Sequence, residues 1–248
     1  MSTNFLTTPQ GRRIAYHQTA GTGPGVVFLG GFKSDMGGTK AVYLEEWAKA
    51  QGRAFLRFDY SGHGESSEAF EDGSIGDWAQ DAAEAITQLT DGPQVLVGSS
   101  MGGWISLLMT RRIPEKVAAL VTIAAAPDFT EDSFWAGFDA AQKAELAQNG
   151  KVALPSDYGE PYIITQRLIE DGRNNLVLRD PLPLPFPTRF LQGTADTSVD
   201  RSVALRLLDH ADGPDMRLTF VDGADHSFSD GDCLPLITST IQDVLERL

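Results

Sequence analysis

Ser100 stands in the run Gly98-Ser99-Ser100-Met101-Gly102, where an apolar stretch stops and a tightly packed helical pattern begins. A G-x-S-x-G at a strand-to-helix junction forms a sharp turn that lifts one serine hydroxyl clear of a sheet. The glycines allow the neighbouring strand and helix to approach closely. The helix N-terminus that follows favours developing negative charge. These residue types in this order point to nucleophilic attack on an acyl carbonyl.

A serine hydroxyl is a weak nucleophile at neutral pH, so it needs a base and the base needs an orienting group. On such a scaffold the expected chain order is serine, acid, histidine. The chain has four histidines. His226 follows the last predicted strand and lies downstream of every candidate acid, so it is the expected base. His17 falls on an N-terminal strand, and His210 ends a peripheral helix. His63 lies in a Gly-rich loop that it is expected to brace. Asp196, just past the end of the penultimate strand, is the expected acid. Asp222 is the competing choice and Asp128 a fallback, while Asp200 and Asp225 read as solvated or capping carboxylates. Attack creates an oxyanion that backbone N–H groups must meet. The expected donors are the amides of Met101, next to the nucleophile, and Phe32, in the loop Gly30-Gly31-Phe32-Lys33-Ser34 after an early strand.

Positioning these groups requires a sheet whose strand ends converge at one edge. A hairpin is expected from residues 4–8 and 12–17. Apolar strands are expected at 25–29, 53–58, 94–97, 117–124, 188–191 and 216–221. Helices are expected at 39–51, 78–89, 102–109, 203–208 and 235–248. Short apolar strands alternating with helices predict an α/β fold, a mostly parallel sheet covered on both faces. The alternation breaks between Pro127 and Pro185. Two helices are expected there, at 131–147 and 159–171, with no strong strand. The expected organisation is therefore a core of residues 1–126 and 186–248, with 127–185 as a short helical cap over the carboxyl edge of the sheet. The Pro-rich run at 180–187 reads as the extended return to the core.

In the cap, Phe134, Trp135, Phe138, Tyr158 and Tyr162 are candidates for lining an acyl pocket, with packing onto the sheet as their competing role. Lys33, Arg167 and Arg173 are candidates for holding a substrate carboxylate, with solvated surface as the default.

With 248 residues and 42% hydrophobic content, the chain is long enough for one domain with a real core. Its net charge of −14 disfavours phosphate backbones and anionic membrane faces, so neither nucleic acid nor membrane is an expected partner. The single cysteine, Cys233, excludes an internal disulfide and a multi-cysteine metal site, and reads as a small core filler. No secretory signal, transit-type leader or membrane-length apolar run is visible, so a cytoplasmic location is expected. The chemistry calls for no cofactor and no metal.

Several runs resemble the α/β-hydrolase domain-containing protein ten group of the serine α/β-hydrolases. They are G-F-K-S-D-M-G-G-T-K-A at 31–41, L-E-E at 44–46, R-F-D-Y-S-G at 57–62, V-G-S-S-M-G-G-W at 97–104 and K-V-A-A-L at 116–120. The resemblance implies an α/β-hydrolase fold and the assignment of Ser100, Asp196 and His226 as nucleophile, acid and base. It also implies hydrolysis of carboxylic esters or thioesters of small to medium acyl groups. The animal member of the group is regarded as a mitochondrial palmitoyl-protein thioesterase and acyl-glucuronide esterase, so an acylated protein joins small acyl esters as an expected substrate. The cap matches less well. A peptidase, a carbon–carbon-bond hydrolase and a non-catalytic ligand-binding protein on the same fold stay open as alternatives.

Overall fold

A computed structural model describes residues 3–155 and 161–248. The chain starts as an antiparallel hairpin of β1 (Asn4–Thr7) and β2 (Arg13–Thr19). β3 (Thr22–Leu29), α1 (Thr39–Ala50), β4 (Arg53–Phe58), α2 (Ile75–Leu89), β5 (Gln94–Ser99), α3 (Met101–Arg112) and β6 (Val117–Ile123) then alternate strand and helix. The strand order in the main sheet is β1-β2-β4-β3-β5-β6, continued by two strands from the C-terminal part. All pairings from β4 onward are parallel.

The apolar runs arise because these inner strands are buried on both faces. In β5, Leu96 joins the core beneath α2 and α3, while Val95 and Val97 join the core beneath α1. The same two-residue alternation divides Val27 and Leu29 from Val26 and Phe28 in β3. Ser74 caps α2 by accepting from the Asp77 N–H, so this helix begins three residues before the expected Trp78.

After β6 comes a π-helical turn, Thr130–Trp135. α4 (Ala140–Asn149) follows, opened by a capping box between Asp139 and Gln142 and closed by Gly150 at φ +72°. The expected helix at 131–147 is therefore two pieces. β7 (Lys151–Leu154) and β8 (Tyr162–Thr165) form an antiparallel hairpin before α5 (Gln166–Arg173). No strong strand is expected from the sequence here, and the helix expected at 159–171 begins only at Gln166. The run Tyr162-Ile163-Ile164-Thr165 is aromatic and β-branched, a composition that suits a pleated surface better than a helix. Tyr158 lies outside the described residues.

The Pro-rich return contributes the two-residue β9 (Leu182–Pro183) and leads into β10 (Thr188–Gly193). α6 (Arg201–His210), β11 (Ala211–Asp212), β12 (Met216–Val221) and α7 (Cys233–Leu245) complete the chain. β10 pairs with β6 and β12 lies outside β10, which completes the eight-stranded sheet. α7 packs on the α1 face, where Cys233 is buried with Ile237 and Ile241. Among the described residues no helix is long and apolar enough to cross a membrane.

Candidate active site

The carboxyl ends of β3, β5, β10 and β12 bring the candidate residues to one edge of the sheet. Ser100 follows β5 directly and adopts φ +55°, ψ −118°. This is an uncommon conformation for a side-chain-bearing residue, and it must be held from outside. Its N–H donates to the Ile123 carbonyl at 2.9 Å, and its carbonyl accepts from Gly103 at 2.9 Å and Ala126 at 3.1 Å. Gly102 permits the turn, since a Cβ there would lie 2.0 Å from the Leu29 carbonyl oxygen.

His226, beyond β12, places Nε2 3.1 Å from Ser100 Oγ and Nδ1 2.9 Å from Asp196 Oδ2. A carboxylate oxygen accepts, so Nδ1 carries the proton and Nε2 turns its lone pair to the serine hydroxyl. The imidazole is 23% exposed and the Asp196 side chain is fully shielded. Asp196 Oδ1 accepts from the Ser198 and Val199 N–H groups at 2.9 and 2.8 Å. Its Oδ2 accepts from Gln192 Nε2 at 2.9 Å. Burial pushes the Asp196 carboxyl up. The His226 hydrogen bond, the Val199 N–H, the His226 charge and the Gln192 amide outweigh burial and hold it below the ordinary aspartate value.

Of the other acids, Asp222 accepts from Thr194 Oγ1 at 3.1 Å. Asp225 accepts from Ser227 Oγ and the Phe228 N–H, and Asp200 caps α6. Asp128, the fallback acid, is fully buried and accepts from the Val177 and Leu178 N–H groups at 2.8 and 3.0 Å and from Arg179 at 3.1 Å. It ties the segment that follows β6 to residues 177–179. His17 sits in β2 opposite Arg57, and His210 Nε2 lies 2.8 Å from the Asp180 carbonyl.

The loop at 30–34 abuts the nucleophile, since a Cβ on Gly31 would lie 3.4 Å from Ser100 Cβ. Among the described residues the Phe32 N–H donates to no backbone or side-chain acceptor. Met101 opens α3, where first-turn N–H groups have no intrahelical acceptor. Both expected oxyanion donors are therefore unspent beside Ser100. Asp59 anchors this region by accepting from the Met36 and Glu65 N–H groups at 2.6 and 2.9 Å.

The Phe32 ring meets Phe70, Trp78, Phe129, Phe134 and Tyr162 edge-on, with centroids 4.9 to 6.0 Å apart. Phe134 and Tyr162 thus converge on the loop at 30–34. Trp135 instead contacts Phe138 and lies beneath the Lys143 and Arg173 cations. Arg167 is committed to Asp77 at 2.6 Å and Arg173 to Glu131 at 2.6 Å. The Lys33 ammonium rests over the Phe70 and Tyr162 rings, 5.4 Å from each centroid. Gln192, Asp59 and Phe129 escaped the sequence reading. The available signal was a polar residue inside an apolar strand for Gln192, and for Asp59 a carboxylate at a strand end.

Comparison with known proteins identifies the family and the fold. The family described as alpha/beta hydrolase fold matches residues 27–149. Palmitoyl-protein thioesterase ABHD10, mitochondrial, of Rattus norvegicus is 35% identical over 247 residues, covering 99% of this chain and 83% of the rat protein. A crystal structure of a protein from Agrobacterium vitis S4 superposes with a TM-score of 0.94 at 38% identity, covering 98% of both chains. Alpha/beta hydrolase domain-containing protein 10 from mouse gives 0.92 at 33% identity, covering 100% of this chain and 99% of the mouse one.

Proposed function

The chain belongs to the α/β-hydrolase family, in the group of alpha/beta hydrolase domain-containing protein 10, and from that premise we propose a serine hydrolase that cleaves carboxylic esters or thioesters through an acyl-enzyme on Ser100. The observation that carries the reading is the continuous path from Asp196 through His226 to the Ser100 hydroxyl, at 2.9 and 3.1 Å.

In the first half-reaction His226 Nε2 takes the Ser100 proton as Oγ attacks the acyl carbon. Asp196 holds the ring in this tautomer and stabilises the imidazolium that forms. The Phe32 and Met101 N–H groups receive the oxyanion, each worth about a hundredfold to a thousandfold in rate. His226 then gives its proton to the departing alcohol or thiol. In the second half-reaction it activates water, which releases the acid and restores Ser100. The cycle draws on side chains and backbone alone, with no cofactor.

The acyl chain extends along the aromatic group of Phe32, Phe129, Phe134 and Tyr162, beneath residues 127–185 acting as a cap. The printed name of the rat relative supports thioesters, including an acylated protein, as substrates. That relative is named mitochondrial, while a reduced, cytoplasmic setting fits the lone buried Cys233 of this chain. Hydrolysis of short p-nitrophenyl esters and of a palmitoyl thioester, by wild type and Ser100→Ala, tests the reading. Turnover that vanishes in the variant is expected, and equal rates in the two proteins would sink it.

A further inference from the structure

For the Phe32 N–H to meet the oxyanion, the backbone that follows it must be held. Lys33, the next residue, lies at φ +57°, in the left-handed region that side-chain-bearing residues rarely occupy. Its N–H donates to His63 Nε2 at 3.3 Å. The contact spans thirty positions of sequence and joins the oxyanion loop to the loop after β4.

His63 is built to accept. It is 3% exposed, and its Nδ1 lies 3.1 Å from the Ser61 carbonyl oxygen. That oxygen can only accept, so Nδ1 carries the ring proton and Nε2 presents a lone pair. Trp78 Nε1 donates to the same Ser61 carbonyl at 3.0 Å and anchors it. Tyr60, Phe70 and Trp78 enclose the imidazole edge-on at 5.5, 5.2 and 5.1 Å. Phe70 and Trp78 also pack on the Phe32 ring. One aromatic wall therefore fixes both the ring that accepts from Lys33 and the side chain of the residue that supplies the oxyanion donor. At the other end of the loop, Tyr60 Oη donates to the Gly30 carbonyl at 3.3 Å.

We propose that His63 is a positioning residue of the acyl-transfer reaction, holding the left-handed turn at Lys33 so that the Phe32 N–H stays aimed at the oxyanion. This rests on the reading of Ser100 as nucleophile and Phe32 as donor. His63 touches no reacting atom and acts only through the Lys33 amide.

The test compares His63→Asn with His63→Gln. The shorter amide can keep the donor to Ser61 but leaves nothing where Nε2 stood, whereas the longer one can place an acceptor there. Turnover of p-nitrophenyl acetate is measured per active site, with sites counted by fluorophosphonate labelling run to completion. For His63→Asn, kcat is expected to fall about tenfold to a hundredfold with KM little changed, and His63→Gln is expected to recover most of the loss. Wild-type kcat in His63→Asn, or no recovery in His63→Gln, would overturn the proposal. If His63→Asn does not fold, the decision passes to wild-type protein. There, a nitrogen–nitrogen scalar coupling between the Lys33 amide and His63 Nε2 is expected in NMR, and its absence would overturn the proposal. Loss of Ser100-dependent turnover in the wild type is a separate outcome, and it would remove the underlying reading instead.

Discussion

Gln192 and His226 donate to the same oxygen of Asp196, Oδ2, each at 2.9 Å. Gln192 lies in β10, fully buried, and its amide also reaches the Val199 carbonyl at 3.2 Å. It thus ties the turn that carries Asp196 to the end of the strand. Its own carbonyl oxygen, Oε1, is buried with no hydrogen-bond partner among the described residues, a cost of the kind retained where it orients a functional group.

Gln192→Leu removes both the bond to Asp196 and the orphaned oxygen. The lost bond to a charged acceptor destabilises by about 1.5–3 kcal/mol, and removing the orphan offsets part of that. Turnover is expected to fall about tenfold through looser orientation of His226, with KM close to wild type. Steady-state kinetics together with a urea midpoint separates the two effects. An unchanged kcat would show that Asp196 is held well enough by the Ser198 and Val199 amides alone.

Asp196→Asn keeps the shape of the side chain but can offer an N–H where Oδ2 now accepts. The imidazole then loses the partner that fixes the proton on Nδ1, and Nε2 no longer reliably presents a lone pair to Ser100. A loss of about three to four orders of magnitude in kcat is expected, with the fold retained. A rise in rate with pH, as hydroxide replaces the missing base, would accompany it. Near-wild-type turnover would mean that another acid orients His226.

The central strands are legible in the sequence because burial on both faces leaves continuous apolar runs, as in Val95-Leu96-Val97. The meeting of Ser100 and His226 is legible because chain order and strand ends restrict a candidate nucleophile and its base to few positions. Gln192 is hidden for the opposite reason. A polar residue beside the apolar Phe190-Leu191 is a local oddity that by itself assigns no role, and that role exists only once Asp196 folds back over it. The β7–β8 hairpin is hidden because its four-residue strands pair only with each other and have no larger sheet to impose a pattern. Tyr162-Ile163-Ile164-Thr165 is too short for periodicity to separate strand from helix.

The aromatic residues of the segment between β6 and β10 divide into two groups with different expected effects. Phe134 and Tyr162 touch the Phe32 ring, whereas Trp135 and Phe138 pack together away from it. Phe134→Ala and Tyr162→Ala are expected to raise KM for octanoyl or dodecanoyl p-nitrophenyl esters about fivefold to twentyfold, the loss of about 1–2 kcal/mol of apolar contact. The acetyl ester should be far less affected. Trp135→Ala is expected to leave chain-length preference unchanged. A series of esters of increasing acyl length tests this, and equal effects of all three substitutions would place the acyl chain elsewhere.

The burial that holds His63 neutral also makes it a source of acid sensitivity. Burial pushes its pKa down from the ordinary value of about 6.5 to about 4, against a lesser opposing pull from the Ser61 carbonyl. The unfolded chain takes up the proton as pH falls through the ordinary histidine range, while the folded chain refuses it until about 4. The contribution is therefore complete above the ordinary value and disappears as pH falls towards the depressed one. Its full size is about 3 kcal/mol. His17, also lowered chiefly by burial, acts in the same direction. Asp196, whose folded pKa is depressed, loses its contribution only below the ordinary carboxylate range. Urea midpoints between pH 7 and pH 4.5 in wild type and His63→Gln isolate the His63 share, because the other groups are common to both proteins. The wild-type midpoint is expected to fall more steeply over this interval than that of the variant. Parallel declines would mean that the folded protein accepts a proton at His63 as readily as the unfolded chain does, and with it that the imidazole is wet.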